Sequence, residues 1–388
     1  MNHKLSRNLV IINNDVQMLD NHIISTFAPQ YIDISRFFER IYLYSIDPKE
    51  KFIKGVKLSD KFYFRTLSQS IHRNNFQLFF YIPLYMYSLV KILSKHKNDL
   101  FVIYYPASYI GFITVFLSKL FRVKRFVRVT NNILNEYNPR NSSKLLRLVY
   151  KLSHYPFNLI EKLLLKKELC FFSGQNYISP LKNKPNLIEI PSLSIKRNQM
   201  IYKKIGLNPK IRLLFVGRFD SNKGLDIFLE SVANLDSRKY EAHVVGFGSD
   251  SQTKEVKSQI DALDNCFFEG FLPFGEKLFD AYSKADIFVF PSKGDYGAKT
   301  VLEAMFFGAF VIAANVGTVS KHITSYHNGI IVNKNNASEI VNGIEWISNN
   351  LSEAQQIVDN AYKYVENYSL ESMNDTIIHE VEKRLYEN

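Results

Sequence analysis

Cysteine is nearly absent from this sequence. Cys170 and Cys266 are the only two in 388 residues, and they lie far apart. Neither a disulfide framework nor a metal-ligand spacing can be drawn from them, which fits a reducing compartment. Long hydrophobic runs are missing too. The longest, FFYIPLYMYSLVKIL at residues 79–93, falls short of the ~20 residues that a spanning helix needs. It reads either as a buried helix or as an aromatic helix resting on a membrane surface. No charged leader and apolar signal core open the chain, so the expected location is cytoplasmic. Glycine is missing where a dinucleotide site would place it. After the strand-like run LVIIN, residues 9–13, no Gly-x-Gly-x-x-Gly follows, which argues against a nicotinamide dehydrogenase.

What is present is a chain rich enough in apolar residues, 46% against 22% charged, to bury large cores. Its length suits two domains. Acidic residues are scarce in only one half. Residues 1–205 hold 32 Lys and Arg against 12 Asp and Glu, and residues 206–388 hold 17 against 25. A surplus of that size in the first half points to an anionic partner, either nucleic acid or an anionic membrane. The basic residues are scattered among apolar core runs, and no RNA or DNA module is present, so a nucleic-acid-binding protein is the weaker reading.

The most informative stretch is DIFVFPSKGDYGAKTVLEAMFFG, residues 286–308. The run 287–290 reads as a buried parallel strand ending at Pro291. A loop with two glycines and Asp295 follows. A helix then begins near Ala298 and carries Val301, Leu302, Met305 and Phe306 at helical spacing. A strand, a glycine loop and a helix N-terminus together make an anion site, since first-turn N–H groups and the helix dipole both favour negative charge. Asp295 and Glu303 bracket it. Carboxylates there would repel phosphate, but they suit the hydroxyls of sugars.

This block resembles the C-terminal signature of the retaining glycosyltransferases of the GT-B fold, family 4. Pro291, Ser292, Gly297, Leu302, Glu303, Ala304 and Met305 stand at the matching places. The family's two glutamates lie eight positions apart. Here Asp295 and Glu303 keep that spacing, with the first residue one methylene shorter. A second resemblance lies earlier. After the strand-like run 211–216, Gly217-Arg218 and then Lys223-Gly224 match the family's Val-Gly-Arg … Lys-Gly element. Arg offers a planar fork and Lys a point charge to a leaving diphosphate. Gly270-Phe271-Leu272-Pro273 resembles the loop in which family members read the base.

The resemblance implies an α/β chain of GT-B fold, with two Rossmann-like doubly wound domains facing a central cleft. Residues 1–192 form the acceptor domain, 193–209 a linker and 210–369 the donor domain. A last helix, 370–388, would cross back to the first domain. Arg218, Lys223, Asp295 and Glu303 are the implied catalytic residues. Gly217, Phe271, Leu272, Tyr296, Gly297, Ala298, Thr300 and Val301 are the implied donor contacts. The family's glycine-rich loop after the first strand and its histidine near Thr130 are both missing. Asn14, Asn131 and Asn132 stand at those places and are the acceptor-side candidates. The activity implied is metal-independent, retaining transfer from a nucleotide-diphospho-sugar to a saccharide or lipid-linked acceptor, without a cofactor, in bacterial surface polysaccharide synthesis. The basic half adds the expectation of peripheral contact with an anionic membrane. A GT-B nucleotide-sugar epimerase is the nearest rival.

Overall fold

The computed structural model describes residues 6–13, 17–19, 22–24, 28–45, 56–57, 59–66, 75–105, 109–129, 160, 163–172, 186–190, 193–206, 209–295 and 298–387. The chain divides into two compact units, Met1–Ile190 with Met373–Asn388, and Pro191–Ser372.

In chain order the strands of the first unit are β1 (Asn8–Ile12), β2 (Gln17–Leu19), β3 (His22–Ile24), β4 (Arg40–Ser45), β5 (Val56–Lys57), β6 (Phe62–Thr66), β7 (Leu100–Tyr105), β8 (Arg125–Val129), β9 (Cys170–Phe172) and β10 (Leu187–Glu189). Its helices are α1 (Ala28–Ile34), α2 (Asn75–Lys95) and α3 (Tyr109–Leu120). The short β2, β3 and β5 form a separate antiparallel sheet. The other seven strands form a parallel sheet in the order β10-β9-β8-β7-β1-β4-β6. The central strands β1 and β7 read as continuous apolar runs because both faces are covered. Val10, Ile12, Phe101, Ile103, Val127 and Val129 pack on one side with Tyr85, Leu89 and Leu93 of α2 and Val115 and Leu117 of α3.

Two helices of this unit differ from the pattern that their sequences suggest. The periodic residues Ile110, Ile113, Phe116, Leu117 and Leu120 predict the inner face of α3; Leu117 is buried and Ile113 half-buried, yet Phe116 and Leu120 are exposed. The face turned inward carries Gly111, Thr114, Val115 and Ser118 beside Leu117. Small residues let α3 approach its neighbours closely, and the Thr114 hydroxyl lies 2.5 Å from that of Tyr85 on α2. Helix α2 holds Pro83 inside it, and its apolar residues divide between core and surface. Tyr85, Leu89, Ile92 and Leu93 are buried, while Leu84, Met86 and Tyr87 are exposed. Helices expected at 145–152 and over most of 157–167 lie outside the described residues; residues 163–165 are helical.

The second unit holds β11 (Ile211–Arg218), β12 (Tyr240–Phe247), β13 (Cys266–Gly270), β14 (Ile287–Phe290), β15 (Phe310–Ala314) and β16 (Ile330–Val332). Its helices are α4 (Leu225–Ala233), α5 (Asp250–Asp261), α6 (Glu276–Lys284), α7 (Lys299–Phe306), α8 (Val319–His322), α9 (Ala337–Asn349) and α10 (Leu351–Val365). A last helix, α11 (Leu370–Leu385), begins here, and its residues from Met373 onward belong to the first unit. Residues 193–206 are built into this unit. Leu193 and Ile195 are fully buried in its core, and the Leu370 N–H donates to the Ile195 carbonyl.

The six strands are all parallel and run β13-β12-β11-β14-β15-β16. Chain order reverses between β11 and β14, which is the topological switch point of a doubly wound sheet. Alternation along β11 sends Leu213 and Phe215 to the side of α4 and α9, and Leu214 to the side of α6 and α7. β11 stays in register with β12 from Ile211 to Arg218. Against β14 it pairs only at Leu213 and Leu214. The two strands therefore part toward their carboxyl ends, and the loops that follow them border the gap.

Candidate active site

Three loops at the carboxyl edge of the second sheet build the site, and close backbone packing sets their geometry. Gly217 lies just past the buried stretch 213–215 of β11 and faces Gly246 of β12. A Cβ on Gly246 would stand 1.9 Å from the Gly217 carbonyl oxygen, so no larger residue fits there. The chain then turns through residues 219–224. Gly224 adopts φ +71°, and a Cβ there would meet the Pro291 carbonyl oxygen at 2.1 Å. Left-handed backbone and contact with the next loop both call for glycine.

The turn after β11 is stitched to the loop after β14. The Asn222 carbonyl accepts the Lys293 N–H at 2.8 Å and the Ser292 hydroxyl at 2.9 Å. Ser292 is completely buried, so it acts as a tie between loops. The stitching sets Lys223 against Asp295, with Nζ 2.5 Å from Oδ2. Both are largely but not fully withdrawn from solvent, at 25% and 18% exposed. Arg218 lies at the mouth, two-thirds exposed, with Nη2 3.1 Å from Asp220 Oδ2. Exposed pairs of this kind are weak, so an incoming anion can take the guanidinium from Asp220.

Helix α7 starts at Ala298, which sits at φ 43°, ψ 35° and has no side-chain acceptor to cap the first turn. A non-glycine residue in the left-handed region stores strain, and such strain gathers at functional sites. Ala298 and Val301 are buried, and Thr300 is half-buried. Glu303 lies one turn in and is only 4% exposed. Its Oε2 accepts from the Tyr282 hydroxyl at 3.0 Å, while its Oε1 faces the Lys299 ammonium at 3.5 Å. Burial next to Glu303 drives the Tyr282 phenol well above its ordinary pKa, so Tyr282 stays a hydrogen-bond donor.

Beyond β13, Phe271 is exposed and meets Phe247, which ends β12, edge-to-face at 5.1 Å. Leu272 packs against the core. Two exposed aromatics at the sheet's edge offer apolar area to a planar group.

The structure thus pairs Lys223 with Asp295 and places Arg218, paired with Asp220, at the start of the turn that carries Lys223, next to Gly217. Glu303, Ala298, Thr300 and Val301 share the first two turns of α7. Phe271 and Leu272 stand on the loop after β13. Tyr296, Gly297, Asn14, Asn131 and Asn132 lie outside the described residues. Sequence reasoning passed over Asp220, Asn222, Tyr282 and Lys299. Asp220, two residues after Arg218, carried a usable signal. Tyr282 is one position on an amphipathic helix, and Asn222 acts through its carbonyl, which no side-chain pattern reports.

The family model described as Glycosyl transferases group 1 matches residues 198–364, which lie within the second unit. A 41.2 kDa protein of the cps region of Klebsiella pneumoniae is 27% identical over 267 residues, 65% of this chain and 70% of that one. The capsular polysaccharide biosynthesis glycosyltransferase CapM of Staphylococcus aureus is 26% identical over 212 residues, 51% of this chain and 54% of that one. Among solved structures, sucrose-phosphate synthase from Thermosynechococcus elongatus aligns over 98% of this chain and 100% of its own, at 15% identity and a TM-score of 0.71. Anabaena Alr3699/HepE in complex with UDP aligns over 97% and 100%, at 15% identity and a TM-score of 0.69. The fold is that of the GT-B glycosyltransferases.

Proposed function

We propose that the chain is a retaining glycosyltransferase of the glycosyl transferases group 1, whose family model matches residues 198–364, and that it uses a nucleotide-diphospho-sugar. The observation that carries this reading is the placement of Arg218 and Lys223, with Asp295 held 2.5 Å from Lys223, at the switch point of the sheet, where open α/β sheets bind nucleotides.

Breaking the bond between the sugar's anomeric carbon and its phosphate oxygen throws negative charge onto the leaving diphosphate. Arg218, Lys223 and the uncapped start of α7 receive that charge. Fixed cations in a partly dry site supply several kcal/mol of transition-state stabilisation. We assign the metal-independent character to this set. The acceptor oxygen forms its bond to the anomeric carbon on the face the diphosphate leaves. The acceptor's hydroxyl proton passes to the departing phosphate oxygen, so atoms and charge balance without a protein nucleophile. Asp295 orients the donor sugar through its hydroxyls, Glu303 takes the ribose, and the loop with Phe271 and Leu272 takes the base.

The first unit is assigned the acceptor, a saccharide or a lipid-linked saccharide of surface polysaccharide synthesis. The capsular role in the name of the Staphylococcus relative supports that setting. The outer side of α2 and α3 supports a lipid-linked form and peripheral contact with an anionic membrane. Leu84, Met86, Tyr87, Phe116 and Leu120 are exposed there. Lys91, Lys95, Lys97, Arg122 and Lys124 are exposed in the same stretch. Apolar side chains with surrounding cations match an anionic bilayer surface. No described helix is long and apolar enough to cross a membrane.

Thermal shift with UDP-, GDP- and ADP-sugars tests the donor assignment. One donor should stabilise the wild type, by about 2.7 kcal/mol at ~100 times its dissociation constant, and leave Arg218→Ala unmoved. Equal stabilisation of both proteins would remove Arg218 from the site. For the membrane assignment, co-sedimentation with phosphatidylglycerol vesicles should weaken with salt and with L84S/Y87S/F116S. Failure to bind at low salt refutes it.

A further inference from the structure

The first unit buries an arginine that has no counter-ion among the described residues. Alternation along β8 turns Arg128 away from Val127 and Val129, onto the side of the sheet covered by α1 and α11. It pairs in register with Tyr104 of β7. The side chain is 3% exposed. One of its terminal nitrogens, Nη2, lies 3.7 Å from the Met373 sulfur, a weak acceptor. The other, Nη1, has no hydrogen-bond partner. Arg125 of the same strand makes the contrast, since its Nη2 lies 2.9 Å from Glu168 Oε1. Asp33 on α1 is within reach of other groups, accepting from Asn374 at 2.9 Å and facing Arg36 at 3.5 Å.

The guanidinium borders a cavity of about 20 Å³. Gln30 and Tyr31 of α1, Tyr104 of β7 and Asn374 of α11 line it, with apolar walls from the sheet. Burial lowers the guanidinium's affinity for its proton, and it drives the Tyr104 hydroxyl up to about 12. A charge buried without a partner is among the costliest features a core can hold.

We propose that this cavity binds one monovalent, halide-sized inorganic anion, chloride in the cell, with Arg128 as its principal ligand. A volume of that order holds about one small sphere, which suits a monatomic anion better than phosphate or sulfate. Aromatic edges carry partial positive charge and tolerate a polarisable halide. The anion neutralises Arg128 beneath Met373 and Asn374, so it would also fasten the C-terminal segment to the first unit.

The test is thermal unfolding of the full chain in sodium chloride, sodium bromide and sodium gluconate at equal ionic strength. Gluconate is too large for the cavity. Chloride and bromide should raise the melting temperature of the wild type saturably, with the apparent folding constant up about 100-fold at 100 times the dissociation constant. The halide dependence should vanish in Arg128→Met and persist in Arg128→Lys. Equal melting in chloride and gluconate, or a halide effect unchanged in Arg128→Met, overturns the proposal. If Arg128→Met fails to fold, crystals of the wild type grown in bromide decide the matter. An anomalous peak beside Nη1 supports the site, and density for water alone refutes it.

Discussion

Replacing Gly224 with alanine should break the site by parting two loops. The left-handed backbone at this position, φ +71°, costs an L-residue about 1–2 kcal/mol. The added Cβ would stand 2.1 Å from the Pro291 carbonyl oxygen, more than 1 Å inside ordinary contact. The obstacle is backbone, so the loops must separate, and overpacking of this sort costs about 1–3 kcal/mol. Separation also strains the bonds from Lys293 N–H and Ser292 Oγ to the Asn222 carbonyl. The expected loss is roughly 2–5 kcal/mol, a drop of about 5–15 °C for a unit of this size. Lys223 and Asp295 move apart with their loops, so donor affinity should fall at least ~10-fold, equivalent to about 1.4 kcal/mol. Gly294 provides the control. A Cβ there meets nothing within 4 Å, and Gly294→Ala should change stability by less than ~0.5 kcal/mol. Calorimetry of both variants reads the difference. A Gly224→Ala protein that melts with the wild type would refute the account of how the loops are set.

Asp295→Asn should reduce turnover by about 10²–10³-fold while changing affinity for the free nucleoside diphosphate less than threefold, because Asp295 is assigned to the sugar; paired kinetics and titration calorimetry separate the two. Lys203 gives a pH signature. Burial lowers its ammonium pKa to about 8 from 10.5, so between these values the unfolded chain holds a proton that the folded chain has released, and stability from this group rises with pH. The stability of the wild type relative to Lys203→Met should therefore climb by about 2 kcal/mol from pH 8 to 10, as read by urea denaturation; a flat difference would place Lys203 in solvent. Burial pushes the Cys266 thiol up to about 12, and Cys170 is buried as well, so native protein at pH 8 should resist an aromatic disulfide reagent that titrates both thiols after denaturation.

The second unit was largely legible in the sequence because apolar runs and their punctuation agree there. The stretch 211–216 followed by Gly217, and 287–290 followed by Pro291, announce strands that enter loops, and those loops do lie at one edge of one sheet. The first unit was less legible. In α3 the hydrophobic period selected Phe116 and Leu120, which are exposed, since close helix packing used Gly111, Thr114 and Ser118. Residues 193–209 read as a linker by composition, yet Leu193, Ile195 and Ile205 are core, because apolar side chains scattered through a basic stretch leave no periodic trace. Alternation gave the direction of Arg128 but not its burial, which depends on α11, far along the chain. The spacing of Asp295 and Glu303 was visible. Their resting partners, Lys223 and Tyr282, come from other elements, and only the folded sheet brings them near.

The central claim is that Arg218 and Lys223 hold the diphosphate of a nucleotide donor. Titration calorimetry with the nucleoside diphosphate and monophosphate of the preferred base, on wild type, Arg218→Ala and Lys223→Ala, tests it most directly. The wild type should prefer the diphosphate at least ~10-fold, about 1.4 kcal/mol, and each variant should lose most of that preference while keeping its affinity for the monophosphate. Equal affinity for the two nucleotides in the wild type, or a preference undiminished in both variants, would contradict the account.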